Sequence, residues 1–266
     1  MTLIISMCTE KGIHMIADSL VIDENEHGQR KAMFNIEKIK VLKESKTAFS
    51  FWGTVENDQT GFSLSNELEK LNPQLENFKQ FYEVTPELAR HFEKIKLLDA
   101  DDRLGFHVAT FMHGVPELHH VFHETFLQRN QFLNEDSTKE THIGLTKTLG
   151  FKKISINLPY PMLFNGDNRV PNLFMNNLQW LESSIEYHKL NETEAGYFLK
   201  FLMDTAINLQ TFSKEYRELG KLIDYPLMYC KLTKEGVVDP IFIKKESNGQ
   251  FSEHKTLEDA GGKIKR

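Results

Sequence analysis

The chain has 266 residues, 40% hydrophobic and 26% charged, with a formal net charge of −6. That length can bury one substantial core. The acidic balance leaves no footprint for nucleic acid, and no run of 18 apolar residues offers a membrane span.

The chain opens Met1-Thr2-Leu3-Ile4-Ile5-Ser6. Removal of Met1 would leave Thr2 first, with a hydroxyl nucleophile and a free α-amine on one residue. Such an amine has an unperturbed pKa of about 7.7–8.0 and can act as general base for its own hydroxyl. No basic n-region precedes the first apolar run, so a signal peptide is not expected and the expected location is cytoplasmic. Apolar residues 3–7 and 13–17 flank Thr9-Glu10-Lys11-Gly12, which predicts a β-hairpin. Asp18-Ser19 follows, alone a turn or cap signal. Lys38, in Asn35-Ile36-Glu37-Lys38-Ile39, read alone is one solvated charge on an alternating strand. Phe49-Ser50-Phe51-Trp52-Gly53 is an apolar strand ending at a glycine turn.

Residues 61–71 place Phe62, Leu64, Leu68 and Leu71 at helical spacing, and 73–98 reads as one or two further helices, with Thr85-Pro86 as a helix start. Residues 104–112 and 117–126 predict a hairpin around His113-Gly114-Val115-Pro116. Its histidines (His119, His120 and His123, with His107 and His113) are expected to face solvent rather than to gather around a metal, because neighbours on a strand point to opposite sides. His14 is expected to be packed or at a subunit contact. Residues 128–146 are mostly polar, and 152–158 reads as a strand. Residues 163–168, with a central Gly166, precede helices at 170–187 and 192–212, the second capped by Asn191 with Glu194 three residues on. Residues 220–230, a turn at 233–236 and a last strand at 237–243 close the domain, residues 1–244. The polar tail 245–266 is expected to be mobile or to face a partner. Cys8 and Cys230 lie in apolar strands and read as reduced, buried thiols. No Walker A, GxGxxG, HExxH or GxSxG motif occurs.

The first 55 or so residues resemble the proteasome β-type subunits and their bacterial relatives, the two-component protease HslV and the proteasome-like protein Anbu. The resemblance is carried by Thr2, by Asp18 sixteen residues later in Ala17-Asp18-Ser19, by Lys38 before an apolar residue, and by Gly53 fifteen residues beyond Lys38. Lys38 comes about four residues later than that family's pattern, which a loop insertion in residues 23–32 would accommodate. The resemblance implies that Thr2 is the nucleophile, that Lys38 favours its deprotonated hydroxyl and that Asp18 partners Lys38. The backbone N–H of Ser50 would serve the oxyanion hole. Strand layers flanked by helix pairs in this order give an α+β, four-layer αββα Ntn-hydrolase sandwich.

Two departures mark the second half. The family has a Ser directly after the turn glycine, where this chain has Asp167, a possible contact for the α-amine that would also raise its pKa. The family's later Asp and Ser fall near Tyr216, Arg217, Glu218 and Leu219. The resemblance implies a threonine peptidase acting on peptides or unfolded proteins, self-associated into rings and open to an ATP-dependent unfoldase as partner; no cofactor or metal and no nucleic-acid or membrane partner is expected. A catalytically inactive shell protein and a small-substrate Ntn amidase are the alternatives.

Overall fold

The apolar run after Thr2 forms β1 (Leu3–Cys8), antiparallel to β2 (Ile13–Asp18), with Ile4 opposite Ala17 and Cys8 opposite Ile13. The computed structural model describes residues 2–24, 27, 29–57, 60–78, 81–93, 104–123, 149–154, 162–166 and 185–264. Thr9 closes the predicted turn: its N–H donates to the Gly12 carbonyl at 2.8 Å and its hydroxyl accepts from the Gly12 N–H at 3.0 Å.

The expected loop insertion is instead a second hairpin, β3 (Leu20–Glu24) with β4 (Arg30–Asn35). Arg30 anchors its far end, donating to Glu215 at 3.1 Å and lying 5.8 Å from the Tyr216 ring centroid. Next come β5 (Ile39–Leu42), β6 (Thr47–Gly53), β7 (Glu56–Asn57) and β8 (Phe62–Ser63).

Helices α1 (Leu64–Asn77) and α2 (Phe81–Glu93) correct two sequence readings. Pro73 and Pro86 lie inside these helices rather than at their starts. A proline in a helix interior forfeits one backbone hydrogen bond. For Pro73 the carbonyl left over is that of Glu69, an exposed residue that water can serve. The stripe Leu64, Leu68, Leu71 and Leu75 is buried and decides the helix.

The pair β9 (Leu104–Met112) and β10 (Val115–His123) is joined by two residues rather than four, His113 at φ 53° and Gly114 at φ 79°. Positive φ at both positions is the twist a two-residue hairpin requires. Then follow β11 (Leu149–Ile154), β12 (Met162–Gly166), a 3₁₀ turn at Tyr187–Lys189, α3 (Glu192–Gln210), α4 (Lys214–Leu219), β13 (Leu227–Thr233), β14 (Gly236–Lys245) and β15 (Phe251–His254). The α3 capping box forms as read: Asn191 accepts from the Thr193 and Glu194 amides at 3.0 Å, and Glu194 accepts from the Asn191 N–H at 2.9 Å. The helix read at 170–187 lies outside the described residues up to 184.

The architecture is mixed α+β, with more strand than helix. A six-stranded sheet runs β12-β1-β2-β13-β14-β15 and a five-stranded sheet runs β11-β10-β9-β6-β5. One core cluster joins the two sheets through Ile4, Met15, Ile39, Trp52, Leu118 and Met228. A second packs α1 and α2 on the five-stranded sheet, and a third packs α3 on the six-stranded sheet. The polar tail does not stand free: β15 pairs with β14, and Leu257 and Ala260 are buried in the inter-sheet core.

Gly105 lies directly across from Trp52, and a Cβ there would come within 2.5 Å of the indole. The indole ring needs that space, so Gly105→Ala is expected to lower stability by about 1–3 kcal/mol. Urea unfolding would check this, and an unchanged midpoint would show that the ring moves freely.

Candidate active site

Three side chains far apart in sequence converge at the start of β1. Thr2 is 3% exposed, Asp18 is fully buried at the end of β2, and Lys38 is 1% exposed just before β5. The ammonium of Lys38 makes three donations: to the Thr2 hydroxyl oxygen, to Asp18 Oδ2 at 3.0 Å and to the Leu20 carbonyl at 2.7 Å. Asp18 Oδ1 accepts from the Leu3 N–H at 2.7 Å and from the Thr2 hydroxyl at 3.2 Å, and its Oδ2 accepts from the Leu20 N–H at 3.1 Å. All three ammonium protons are therefore used, and both carboxylate oxygens are saturated.

The electrostatics follow from this closure. Burial pushes the Lys38 ammonium below its ordinary range, opposed by the Asp18 charge and its hydrogen bond. Burial likewise pushes Asp18 up, opposed by Lys38 and by the Leu3 amide. Each charge is kept in the interior by the other, which is how a buried ion pair survives. The positive end of the pair touches the Thr2 oxygen, where negative charge would develop if the hydroxyl were deprotonated.

Thr2, Asp18 and Lys38 are thus brought together. Ser50 lies in the middle of β6, opposite Ile39 of β5 and His107 of β9. The Phe51 N–H donates to the Lys38 carbonyl at 3.2 Å, so by strand alternation the Ser50 amide faces His107. Asp167 lies outside the described residues.

The sequence reading passed over the supporting shell. Ser19 donates to the Pro226 carbonyl at 2.7 Å and accepts from Asn35 Nδ2 at 2.8 Å. The carbonyl and amides of Leu20 and Leu3 leave no mark in side-chain chemistry. The histidines correct an expectation: His107, His119 and His120 are buried, because both faces of β9 and β10 are covered. Among the described residues, no group of three or more His, Cys, Asp or Glu is placed to hold a metal ion.

His107 joins three strands. Its Nε2 donates to Asn165 Oδ1 at 2.6 Å, an atom that can only accept, so Nδ1 accepts from the Ser6 hydroxyl at 2.9 Å. Burial lowers its pKa to about 4, against the Asn165 hydrogen bond. His14 bonds the Tyr229 hydroxyl at 2.7 Å and is also lowered to about 4, by burial first and then by Lys231, against Glu192. The free thiols of Cys8 and Cys230 are buried and pushed up to about 12, chiefly by burial, which keeps them unreactive.

The two histidines fix an acid limit. In the unfolded chain each titrates near 6.5, so the unfolded state binds protons first as pH falls. Their stabilising contribution is full above about 6.5 and is lost on the way down to about 4, at about 3 kcal/mol each. Urea unfolding at pH 7.5 and 4.5 should show the drop, and His107→Gln should remove roughly half of it. Parallel pH dependence in parent and variant would contradict the assignment.

Among solved structures, the chain matches the Anbu (Gly-1) mutant from Hyphomicrobium sp. strain MC1 with a TM-score of 0.58, over 91% of this chain and 87% of that one, at 10% sequence identity. It matches Anbu (ancestral beta-subunit) from Yersinia bercovieri with a TM-score of 0.55, over 89% of this chain and 85% of that one, at 12% identity. No family model matches the sequence, and no curated protein does. The chain therefore shares the fold of these Anbu structures.

Proposed function

With that fold as the frame, we propose that the chain is an N-terminal threonine peptidase whose nucleophile is Thr2 after loss of Met1. One observation carries the reading: the Lys38 ammonium, paired with buried Asp18, donates directly to the Thr2 hydroxyl oxygen. A buried lysine with all its protons committed does not act as a base; it lowers the cost of forming an alkoxide.

In the proposed reaction the Thr2 oxygen attacks the peptide carbonyl and the hydroxyl proton passes to the α-amine. Collapse of the tetrahedral intermediate breaks the C–N bond, and the α-ammonium returns that proton to the leaving amine. Water, deprotonated by the same amine, then hydrolyses the ester and regenerates Thr2. Asp167, next after the Gly166 that ends β12, is proposed to contact the α-ammonium.

The order of the core clusters supports an αββα stacking of four layers. Ring self-association, an ATP-dependent unfoldase and a cytoplasmic setting belong to the same proposal. No helix among the described residues is long and apolar enough to cross a membrane. The reading is tested by N-terminal sequencing together with degradation of an unstructured polypeptide such as β-casein. Native protein should begin at Thr2 and degrade casein, whereas a form carrying an uncleaved N-terminal extension should not. An extended form as active as the parent would overturn the reading.

A further inference from the structure

Lys38 stands at the end of a three-residue stretch, 36–38, that belongs to no strand. Ile36 packs against the apolar cluster of α1, α2 and the five-stranded sheet, and polar contacts, some from the far end of the chain, hold the backbone that leads into the stretch. The Asn35 N–H donates to the Lys263 carbonyl at 2.6 Å, and the Lys263 N–H donates to Asn35 Oδ1 at 2.9 Å. Asn35 Nδ2 donates to the Ser19 hydroxyl at 2.8 Å, and the Ile36 N–H donates to the Ser19 carbonyl at 2.9 Å. Ser19 is fully buried and follows Asp18 directly. Asn35 also pairs across β3 with Leu20, which gives its N–H to Asp18 and its carbonyl to Lys38.

The segment that reaches Asn35 is itself anchored. Leu257 and Ala260 are 4% and 2% exposed in the inter-sheet core, and the Gly262 N–H returns to the Leu257 carbonyl at 2.9 Å. A continuous hydrogen-bonded path therefore runs from Lys263 through Asn35 to Ser19, next to Asp18, and on to Ile36, two residues before Lys38.

We propose that Asn35 and the 255–264 segment form a positioning clamp that sets Lys38 against Thr2 and Asp18, so that the seating of the C-terminal segment governs turnover at Thr2. This inference rests on the peptidase reading. Asn35 suits the task because one side chain both accepts from the Lys263 amide and donates to Ser19. Small displacements of positioned groups cost catalysis heavily.

The test compares the full chain with a form lacking residues 263–266, with Asn35→Ala, and with Ser19→Ala and Ser19→Thr. Amide hydrogen exchange at residues 18–20 and 35–39 reports the clamp without reference to catalysis. Loss of residues 263–266, or of the Asn35 side chain, should speed that exchange at least about 10-fold while β9 and β10 stay unchanged. Turnover of a fluorogenic peptide should fall about 10- to 100-fold in kcat with little change in KM. The acid limb of the kcat–pH profile should move to higher pH, because a displaced ammonium no longer depresses the α-amine. Ser19→Thr, which keeps the hydroxyl, should retain parental values that Ser19→Ala loses. Unchanged exchange at 18–20 and 35–39 in both clamp variants overturns the proposal, as does raised exchange with unchanged kcat and pH limb. A parent that turns over no peptide would overturn the peptidase reading instead, and the exchange measurement would still decide the clamp.

Discussion

Replacing Lys38 with Met should cost the protein both its chemistry and much of its stability. Lys38 is 1% exposed and gives all three of its protons away, so its loss leaves the Asp18 carboxylate buried with no counter-charge. Breaking a buried pair by removing one partner typically costs about 3–5 kcal/mol. The Leu3 and Leu20 amides still bond Asp18 in the variant, which places the expectation at the lower end of that range. Adding Asp18→Asn removes the orphaned charge and should restore roughly 1–2 kcal/mol, a coupling that a double-mutant cycle by urea unfolding would reveal. Hydrolysis should fall on the order of 1,000-fold in both variants, since neither supplies a cation at the Thr2 oxygen. Additive stability losses would show that the two groups do not support one another.

Thr2→Ala should show a different balance, with the loss of rate outweighing the loss of stability. The hydroxyl donates one hydrogen bond to Asp18 and accepts one from Lys38, and bonds to charged groups are worth about 1.5–3 kcal/mol each. Removing a nucleophile that acts as part of a unit costs on the order of 10⁴-fold or more in kcat. Thr2→Ser keeps the hydroxyl and the amine and should keep measurable hydrolysis. A Thr2→Ala protein that cleaves peptides at the parental rate would place the chemistry elsewhere in the molecule.

Thr2, Asp18 and Lys38 were legible through the family resemblance, whereas partners that are backbone atoms or remote were obscure. Read alone, Lys38 is a solvated charge and Asp18 a turn signal; the resemblance groups them with Thr2, the cost of a lone buried lysine makes the grouping self-consistent, and the structure brings the three into contact. The Leu20 carbonyl and the Leu3 amide do as much for the pair, yet any residue could supply them. Asn35 meets Lys263 across 228 positions of sequence, a contact no local pattern announces.

The fold shows the same division. The α3 capping box and the first hairpin rest on short-range chemistry and formed where read. His119 and His120 do alternate along β10, but opposite faces of a covered strand are both interior, so alternation alone could not show that they are buried. The insertion at 23–32 rested on the late position of Lys38 alone, which says nothing of its structure, and β4 opens with Arg30 and Lys31, whose charges carry no strand pattern.

The central claim is that Thr2 is a competent N-terminal nucleophile, and its most direct test is intact mass of the native protein before and after a threonine-directed epoxyketone. Such a reagent requires the hydroxyl and the free amine on one residue. The account predicts loss of Met1 and one adduct per chain, mapped to Thr2 and absent in Lys38→Met. Retention of Met1 with no adduct would contradict it and leave a proteasome-like fold whose buried ion pair is structural.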